Sequence, residues 1–552
     1  MKSPVEVRTQ WNLSVPMRDG VTLATDLYLP RMDDPVPALL LRTPYGKHGD
    51  EMVRLARYFA ANGYAVAVMD VRGRGDSEGT FIPYFGEGQD GYDSVEWLAK
   101  QPFCSGKVAT MGASYLGRIQ WLTALEKPPH LSAMVVAVTP SDPFVEWPTG
   151  VPVPAHAAWL FLTSGRTMQN TSAVQWDKVY EHLPLMTMDE ATGRHMPMWR
   201  EEFLHTQLDE YWKRLCYQTR FEEIDLPIMH ITGWYDDEQV GTLRNFEGMT
   251  SKAATERARR SQRLVVGPWG HQVNKTQKLG EVDFGPQALI DLEGTELRFL
   301  DYFLKGEENG VAHEPPVSIF VMGMNQWRVE REWPPSRATY AKYFLHSGGR
   351  ANSLFGDGTL NATRPLAEPS DSYTYDPVRP VPFIMDVSAE QISGPDDYTA
   401  IERRDDVLVY TSEVLTEAME VTGPITAEIY AETDAADTDF MAKLIDVWPT
   451  GFAQRLSDGM VRARFRLGMD RADLIEPNQI YKYEVDCWYL SHVFLPGHRI
   501  RLEVASSAFP KYDRNPNTGD PLGQYTRVQV AHQTIHHDQE HPSSIILPII
   551  QR

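Results

Sequence analysis

Residues 107–125 constrain this chain more than any other stretch. Lys107-Val108-Ala109-Thr110 reads as a short strand, Met111-Gly112-Ala113-Ser114-Tyr115-Leu116-Gly117 as a turn of small residues, and Arg118 to Leu125 as a helix. A strand that breaks sharply into a helix through small residues holds a serine oxygen clear of the backbone, at the positive end of the helix. That is the build of a nucleophile elbow: glycines allow close backbone approach, and the Tyr115 amide is aimed at a developing oxyanion. The stretch alone also fits a plain βα turn. The usual spacing is G-x-S-x-G, and here the second glycine comes one residue late, at Gly117, with Leu116 in its place.

A serine nucleophile needs a base, and the base needs an orienting carboxylate. On α/β folds these follow in the order Ser, Asp, His, each at the C-terminal end of a strand. Pro227 to Gly233 reads as a buried strand that ends in Trp234-Tyr235-Asp236-Asp237. Arg263 to Gly267 reads as another, and Pro268-Trp269-Gly270 then leads to His271. Of the sixteen histidines only His271 has this context. His230, inside an apolar run, reads as a core histidine.

With these residues together, the chain resembles the cocaine esterase family. The segments that carry the resemblance are Gly112 to Gly117, Gly233-Trp234-Tyr235-Asp236, Gly267 to His271, Asp70-Val71-Arg72-Gly73-Arg74-Gly75-Asp76-Ser77-Glu78-Gly79 and Leu495-Pro496-Gly497-His498-Arg499-Ile500. They span nearly the whole chain. The family also holds α-amino-acid ester hydrolases, glutaryl acylases and X-Pro dipeptidyl-peptidases, and its elbow carries the delayed glycine seen here. The resemblance implies Ser114 as nucleophile, Asp236 as orienting acid and His271 as base. It further implies that Tyr45, in the loop after the strand Ala38 to Arg42, completes an oxyanion hole with the Tyr115 amide. The other reading of Tyr45 is a turn aromatic after Pro44.

Composition sets outer bounds. A chain of 552 residues is too long for one core, and 42% apolar residues suffice for two or three domains. A formal net charge of −22 with no basic stripe argues against a nucleic-acid partner and against an anionic membrane surface. Cys104, Cys216 and Cys487 give neither a disulfide framework nor a zinc spacing. No apolar h-region opens the chain and no apolar run is long enough to span a bilayer, so a cytoplasmic protein is the simplest expectation, a cleaved leader being the alternative. The histidines His532, His536, His537 and His541 look metal-like but interleave with turn residues, which favours a surface position. No metal and no organic cofactor is expected.

The organisation is α/β at the front and all-β at the back. Strands and helices alternate over residues 1–145, which predicts a mainly parallel sheet. The glycine-rich Arg72–Gly79 loop lacks the lysine-serine/threonine pair and the helix of a phosphate cradle, and reads as a structural crossing loop. Gly91 to Lys100 reads as a helix. Residues 146–222 interrupt the alternation, with helical spacing at Val174–Leu183 and Met198–Leu215; the resemblance implies a helical cap here, closing over the site and shaping the acyl pocket. Trp147, Trp159 and Phe161 are candidates for its aromatic wall, as is Trp234 beside the acid, with cap core as the other reading of each. The α/β pattern resumes over residues 223–312 and closes with a helix at Leu289–Leu304. From 313 to 552 short β-segments alternate with turns, beginning with Val317–Met322, which reads as a β-sandwich; the resemblance implies a jelly roll.

These expectations define a serine hydrolase that cleaves small-molecule carboxylic esters, or amides, through an acyl-enzyme, with the oligomeric state open and a homo-oligomer among the options. In α-amino-acid ester hydrolases a carboxylate cluster holds the substrate ammonium. Glu238 matches its first member, the uncharged Gln239 stands at the second, and Glu146 lies near the third. The alternative is that Asp237 and Glu238 form a solvated loop face. X-Pro dipeptidyl-peptidases usually carry an extra N-terminal domain and rank lower. A non-catalytic ligand-binding protein is the rival from another class, but such proteins typically lose a triad member and here all three residues are present.

Overall fold

A computed structural model of the 552-residue chain describes residues 5–386, 391–392 and 394–551. Its front half is built on one mixed sheet. The strands are β1 (Val7–Pro16), β2 (Thr22–Pro30), β3 (Val36–Thr43), β4 (Ala65–Asp70), β5 (Cys104–Ala113), β6 (Leu131–Ala137), β7 (Ile228–Gly233) and β8 (Gln262–Gly267). After a small ribbon, β9 (Lys278–Leu279) with β10 (Val282–Asp283), come β11 (Val317–Val321) and β12 (Gln326–Glu330). The spatial order is β1-β2-β4-β3-β5-β6-β7-β8-β11-β12, parallel from β4 to β11. Strand β3 is buried at every position, as a central parallel strand covered on both faces must be.

Helices α1 (Asp50–Ala61), α2 (Glu87–Ala99) and α3 (Tyr115–Leu125) cover this sheet. Almost every residue of α3 is buried. Its polar Gln120 is accommodated because its amide donates to the carbonyls of Leu116 (3.0 Å) and Val135 (3.2 Å) and its oxygen accepts from Thr110 (2.9 Å). The expected helix at Gly91–Lys100 begins a turn earlier, at Glu87.

Between β6 and β7 lie five short helices: α4 (Pro154–Thr163), α5 (Trp176–Tyr180), α6 (Met188–Ala191), α7 (Pro197–Glu202) and α8 (Glu210–Lys213). The two long helices expected at Val174–Leu183 and Met198–Leu215 are broken. The first keeps a helix only over α5; Pro184 and Gly193 punctuate the stretch between the two regions, and Asp209 starts α8 afresh within the second by accepting the amides of Tyr211 and Trp212. The apolar spacing came from separate pieces packed on a shared core around Trp176, Trp199 and Phe203.

After β7 come α9 (Gln239–Lys252), α10 (Glu256–Arg260) and α11 (Leu292–Leu300), the last continuing as a π turn over Asp301–Lys305. Val317–Met322 is a departure from expectation. Its strand pairs in parallel with β8 and so extends the first sheet; a short apolar strand between turns carries no mark of which sheet it joins. From Ala338 onward the described residues form an eleven-stranded, almost wholly antiparallel sheet that folds over its own core, the all-β unit. The histidine group in it does not cluster on the surface: His537 is fully buried, with Nε2 2.8 Å from Asp371, whereas His532 is exposed.

The two units meet through buried charge. Arg462, with no exposed surface, makes a two-pronged contact with Asp439 (2.8 and 2.9 Å) and donates to the Thr149 carbonyl at the entrance to the α4–α8 segment (3.0 Å). Removing one partner of a buried pair leaves the other uncompensated, at a cost of about 3–5 kcal/mol. D439A is therefore expected to move the first urea unfolding transition to lower denaturant, while D439N, which keeps one acceptor, moves it less.

Candidate active site

The elbow is built by steric exclusion. Ser114 holds φ 59° and ψ −125°, a region that L-residues avoid. Its N–H donates to the Ala137 and Val138 carbonyls (2.9 and 3.1 Å). Its own carbonyl accepts from Gly117 (2.8 Å) and Arg118 (3.0 Å), opening α3. A Cβ at Gly112 would sit 2.4 Å from the Leu116 side chain, and one at Gly117 would sit 2.6 Å from Thr139 Oγ1 and 3.1 Å from the Ala137 carbonyl. This explains the late glycine: Leu116 turns back over Gly112, and Gly117 is where α3 touches β6. As a first-turn amide, Tyr115 N–H has no acceptor within its helix.

The acid and the base come together because β7 and β8 pair with Gly233 opposite Gly267. Tyr235 N–H donates to the Trp269 carbonyl (2.9 Å), and a Cβ on Gly233 would lie 2.0 Å from that same oxygen. His271 Nδ1 lies 2.8 Å from Asp236 Oδ1. The buried Asp236 also accepts from Thr232 Oγ1 (2.6 Å) and from the Glu238 amide (3.2 Å). A second carboxylate, Asp237 Oδ1, stands 3.1 Å from the same Nδ1. Burial disfavours the imidazolium, but Asp237 and Asp236 outweigh it and hold His271 well above the usual histidine range.

Tyr45 is fixed from two sides. Trp159 Nε1 donates to its phenol oxygen (2.9 Å), and an oxygen that accepts there presents its own O–H as a donor. The preceding Pro44 carbonyl is held by buried Arg74 (2.7 Å), which also reaches Thr163 at the end of α4 (2.7 Å). The Arg72–Gly79 loop is thus a structural clamp on the Tyr45 loop. The rings of Tyr115, Tyr84 and Trp159 stack on one another pairwise (4.6, 5.8 and 6.2 Å between centroids), and the Tyr115 hydroxyl donates to Glu87 (2.7 Å).

Ser114, His271 and Tyr45 line one cavity of about 910 Å³, shared with Trp147, Trp159, Glu146, Asp237 and Glu238. Two expected wall residues are elsewhere. Phe161 turns into the α4–α8 core against Trp176, and Trp234 is buried against β11, donating to the Phe320 carbonyl (2.6 Å). Asp237 and Glu238 face the cavity instead of forming a solvated loop. Burial, Glu146 and Asp237 push Glu238 well above the carboxylate range, and burial takes Glu146 to about 7 although it accepts the Ser141 amide. Gln239 is structural, joined to Tyr489 through both ends of its amide (2.9 and 3.2 Å). Sequence reading missed His156 and Glu202, a cavity-lining pair 3.2 Å apart, because α4 had not been recognised. His230 is a core residue bonded to Gln262 (3.0 Å), held neutral by burial near a pKa of about 4.

Two groups of potential metal ligands occur among the described residues, Asp236–Asp237–His271 and His48–Asp70–Asp76. In the first, both carboxylates are turned on the imidazole. The second surrounds the Lys47 ammonium, which donates to Asp76 (2.8 Å) and Asp70 (3.3 Å).

Residues 19–273 match the X-Pro dipeptidyl-peptidase (S15 family) domain, and residues 309–546 the X-Pro dipeptidyl-peptidase C-terminal non-catalytic domain. Over 98% of both chains the sequence is 37% identical to the cocaine esterase of a Rhodococcus species. The chain belongs to the cocaine esterase family. Solved structures agree over the full length. An α-amino-acid ester hydrolase superposes with a TM-score of 0.86 at 25% identity, covering 99% of this chain and 97% of the other. An aminopeptidase from a marine sediment thaumarchaeon gives 0.86 at 26%, covering 100% and 97%. These solved structures thus share one architecture with this chain.

The pair of carboxylates on His271 generates a test. D237N removes one of the two charges that favour the imidazolium, so the His271 pKa is expected to fall by about one pH unit, followed by nitrogen NMR of the ring. An unchanged titration would remove Asp237 from the account.

Proposed function

We propose that Ser114, His271 and Asp236 form the catalytic triad of this esterase and act through an acyl-enzyme. That the chain is a serine ester hydrolase follows from its family. The observation that carries the triad is the cavity shared by Ser114 and His271, with Asp236 behind the imidazole. In its neutral form His271 accepts the Ser114 proton at Nε2 while Nδ1–H stays on Asp236. The alkoxide attacks the ester carbonyl, and the new oxyanion is met by the Tyr45 hydroxyl and the Tyr115 amide. His271 returns the proton to the leaving alcohol, and water releases the acid by the same steps. Esters are favoured over amides because an alkoxide leaves without full protonation. Residues 146–222 act as the cap, with Trp147 and Trp159 in the acyl wall. A cytoplasmic setting fits the absence of any helix, among the described residues, long and apolar enough to cross a membrane.

A second reading rests on the paired Glu146 and Glu238. Glu146 raises its half-buried neighbour Glu238, and a carboxylate so placed is stabilised by a cation, which an α-ammonium on the acyl group would supply. This makes the chain an α-amino-acid ester hydrolase. Comparing methyl esters of phenylglycine and phenylacetic acid separates the two readings, since the acyl groups differ in the amine alone. Preference for phenylglycine that disappears in E238Q supports ammonium recognition; equal rates leave a general carboxylesterase.

For the chemistry itself, S114A is expected to abolish turnover with the fold retained, and full activity would overturn the triad. Y45F removes one oxyanion donor and is expected to lower kcat by about 10²–10³ with KM little changed.

A further inference from the structure

The stretch from Trp234 to Gln239 carries three carboxylates in a row, Asp236, Asp237 and Glu238. Its own unit holds the entry, where the Trp234 and Tyr235 amides donate to the Gly267 and Trp269 carbonyls (2.9 Å each). The residues on either side of the carboxylates, Tyr235 and Gln239, are each 2% exposed, and both bond to the all-β unit. The Tyr235 hydroxyl accepts from Gln454 Nε2 (3.0 Å) and donates to the Arg455 carbonyl (3.3 Å). Gln454 Oε1 in turn accepts from Trp448 Nε1 (3.0 Å), which fixes the direction of its amide. Gln239 donates to the Tyr489 carbonyl (2.9 Å) and accepts the Tyr489 amide (3.2 Å). On the same strand, Tyr481–Phe494, the Ser491 carbonyl accepts from the Met322 amide (3.1 Å) and the Val493 amide donates to the Met322 carbonyl (2.9 Å). The backbone that receives Gln239 is therefore itself tied to the residue after β11.

We propose that the all-β unit positions the catalytic acid, with Tyr235 and Gln239 as positioning residues that brace Asp236 and Asp237 against His271. The inference rests on the reading of Ser114, Asp236 and His271 as the triad. Its physical basis is the short distance over which a carboxylate can orient an imidazole: a misplacement of about 1 Å can cost on the order of 10²-fold in rate. A turn held at its entry alone keeps rotational freedom beyond it, and bonds on both sides of the carboxylates remove that freedom. Tyr235, Gln239, Gln454 and Tyr489 are not among the residues that line the cavity, so they act through the acid and not on the substrate. The region that matches the C-terminal non-catalytic domain thus supports the chemistry from outside the cavity.

The test compares Y235F, which removes the hydroxyl and keeps the ring, with Q239L, which removes both amide bonds at similar volume. Y373F is the control, because it deletes a buried hydroxyl of the same all-β unit whose partner is Ser506 (2.8 Å). With p-nitrophenyl acetate as substrate, kcat, KM and the pH dependence of kcat/KM are measured, alongside urea unfolding. Y235F and Q239L are each expected to lower kcat about tenfold with KM within about twofold. The acidic limb of kcat/KM, where His271 loses its proton, is expected to move down by about half a pH unit in both, since the carboxylates then stand less well against the imidazole. Y373F is expected to keep the wild-type kcat and limb, whatever its unfolding midpoint. Wild-type kcat and an unmoved limb in both Y235F and Q239L overturn the positioning role, as does an equal loss in Y373F, which would make the effect one of stability. Full activity in S114A would instead overturn the triad, and the positioning role with it.

Discussion

The backbone of Ser114 is the constraint around which this molecule is organised. A left-handed, extended serine costs on the order of 1–3 kcal/mol and persists only where its surroundings over-determine it. Here the Ala137 and Val138 carbonyls hold its amide, Leu116 packs on Gly112, and Gly117 lets α3 approach within contact of β6. Each of these needs a buried parallel sheet behind it. The sheet is thus what brings Ser114, at the start of a helix, to the wall of the cavity.

The parts around the serine are held by the same logic of close approach. Gly233 and Gly267 let two strand exits cross near enough to share a hydrogen bond, and this brings Asp236 to His271 across 35 residues of sequence. Arg74, buried and donating to the Pro44 and Thr163 carbonyls, ties the Tyr45 loop to α4. Trp159 of α4 then completes Tyr45 from above. The Tyr45 phenol is consequently coupled to α4: whatever moves α4 moves Trp159 and with it the phenol. Arg462 anchors the all-β unit to the chain just before α4, so that unit supports the α4–α8 segment as well as covering the sheet.

Much of this was legible in the sequence for a definite reason. Strand exits that end in Gly-Trp-Tyr-Asp and Gly-Pro-Trp-Gly-His, with an elbow before them, leave few ways to combine Ser114, Asp236 and His271. What was not legible depends on long-range packing. Phe161 and Trp234 are aromatic and near the site in sequence, but a helix face and a hydrogen bond to β11 turn them away from it. Val317–Met322 has the pattern of a sandwich strand, and only its pairing with β8 assigns it to the first sheet. The α4–α8 segment misled because its apolar spacing survives breaks at Pro184, Gly193 and Asp209.

The central claim is that Ser114 is activated by an imidazole which two carboxylates keep basic. Labelling with a fluorophosphonate, followed by peptide mass spectrometry across a pH series, tests it most directly. The account predicts a single adduct on Ser114, formed faster as pH rises and His271 loses its proton, with the same dependence displaced to lower pH in D237N. An adduct elsewhere, or labelling of Ser114 at a rate indifferent to pH, would contradict it.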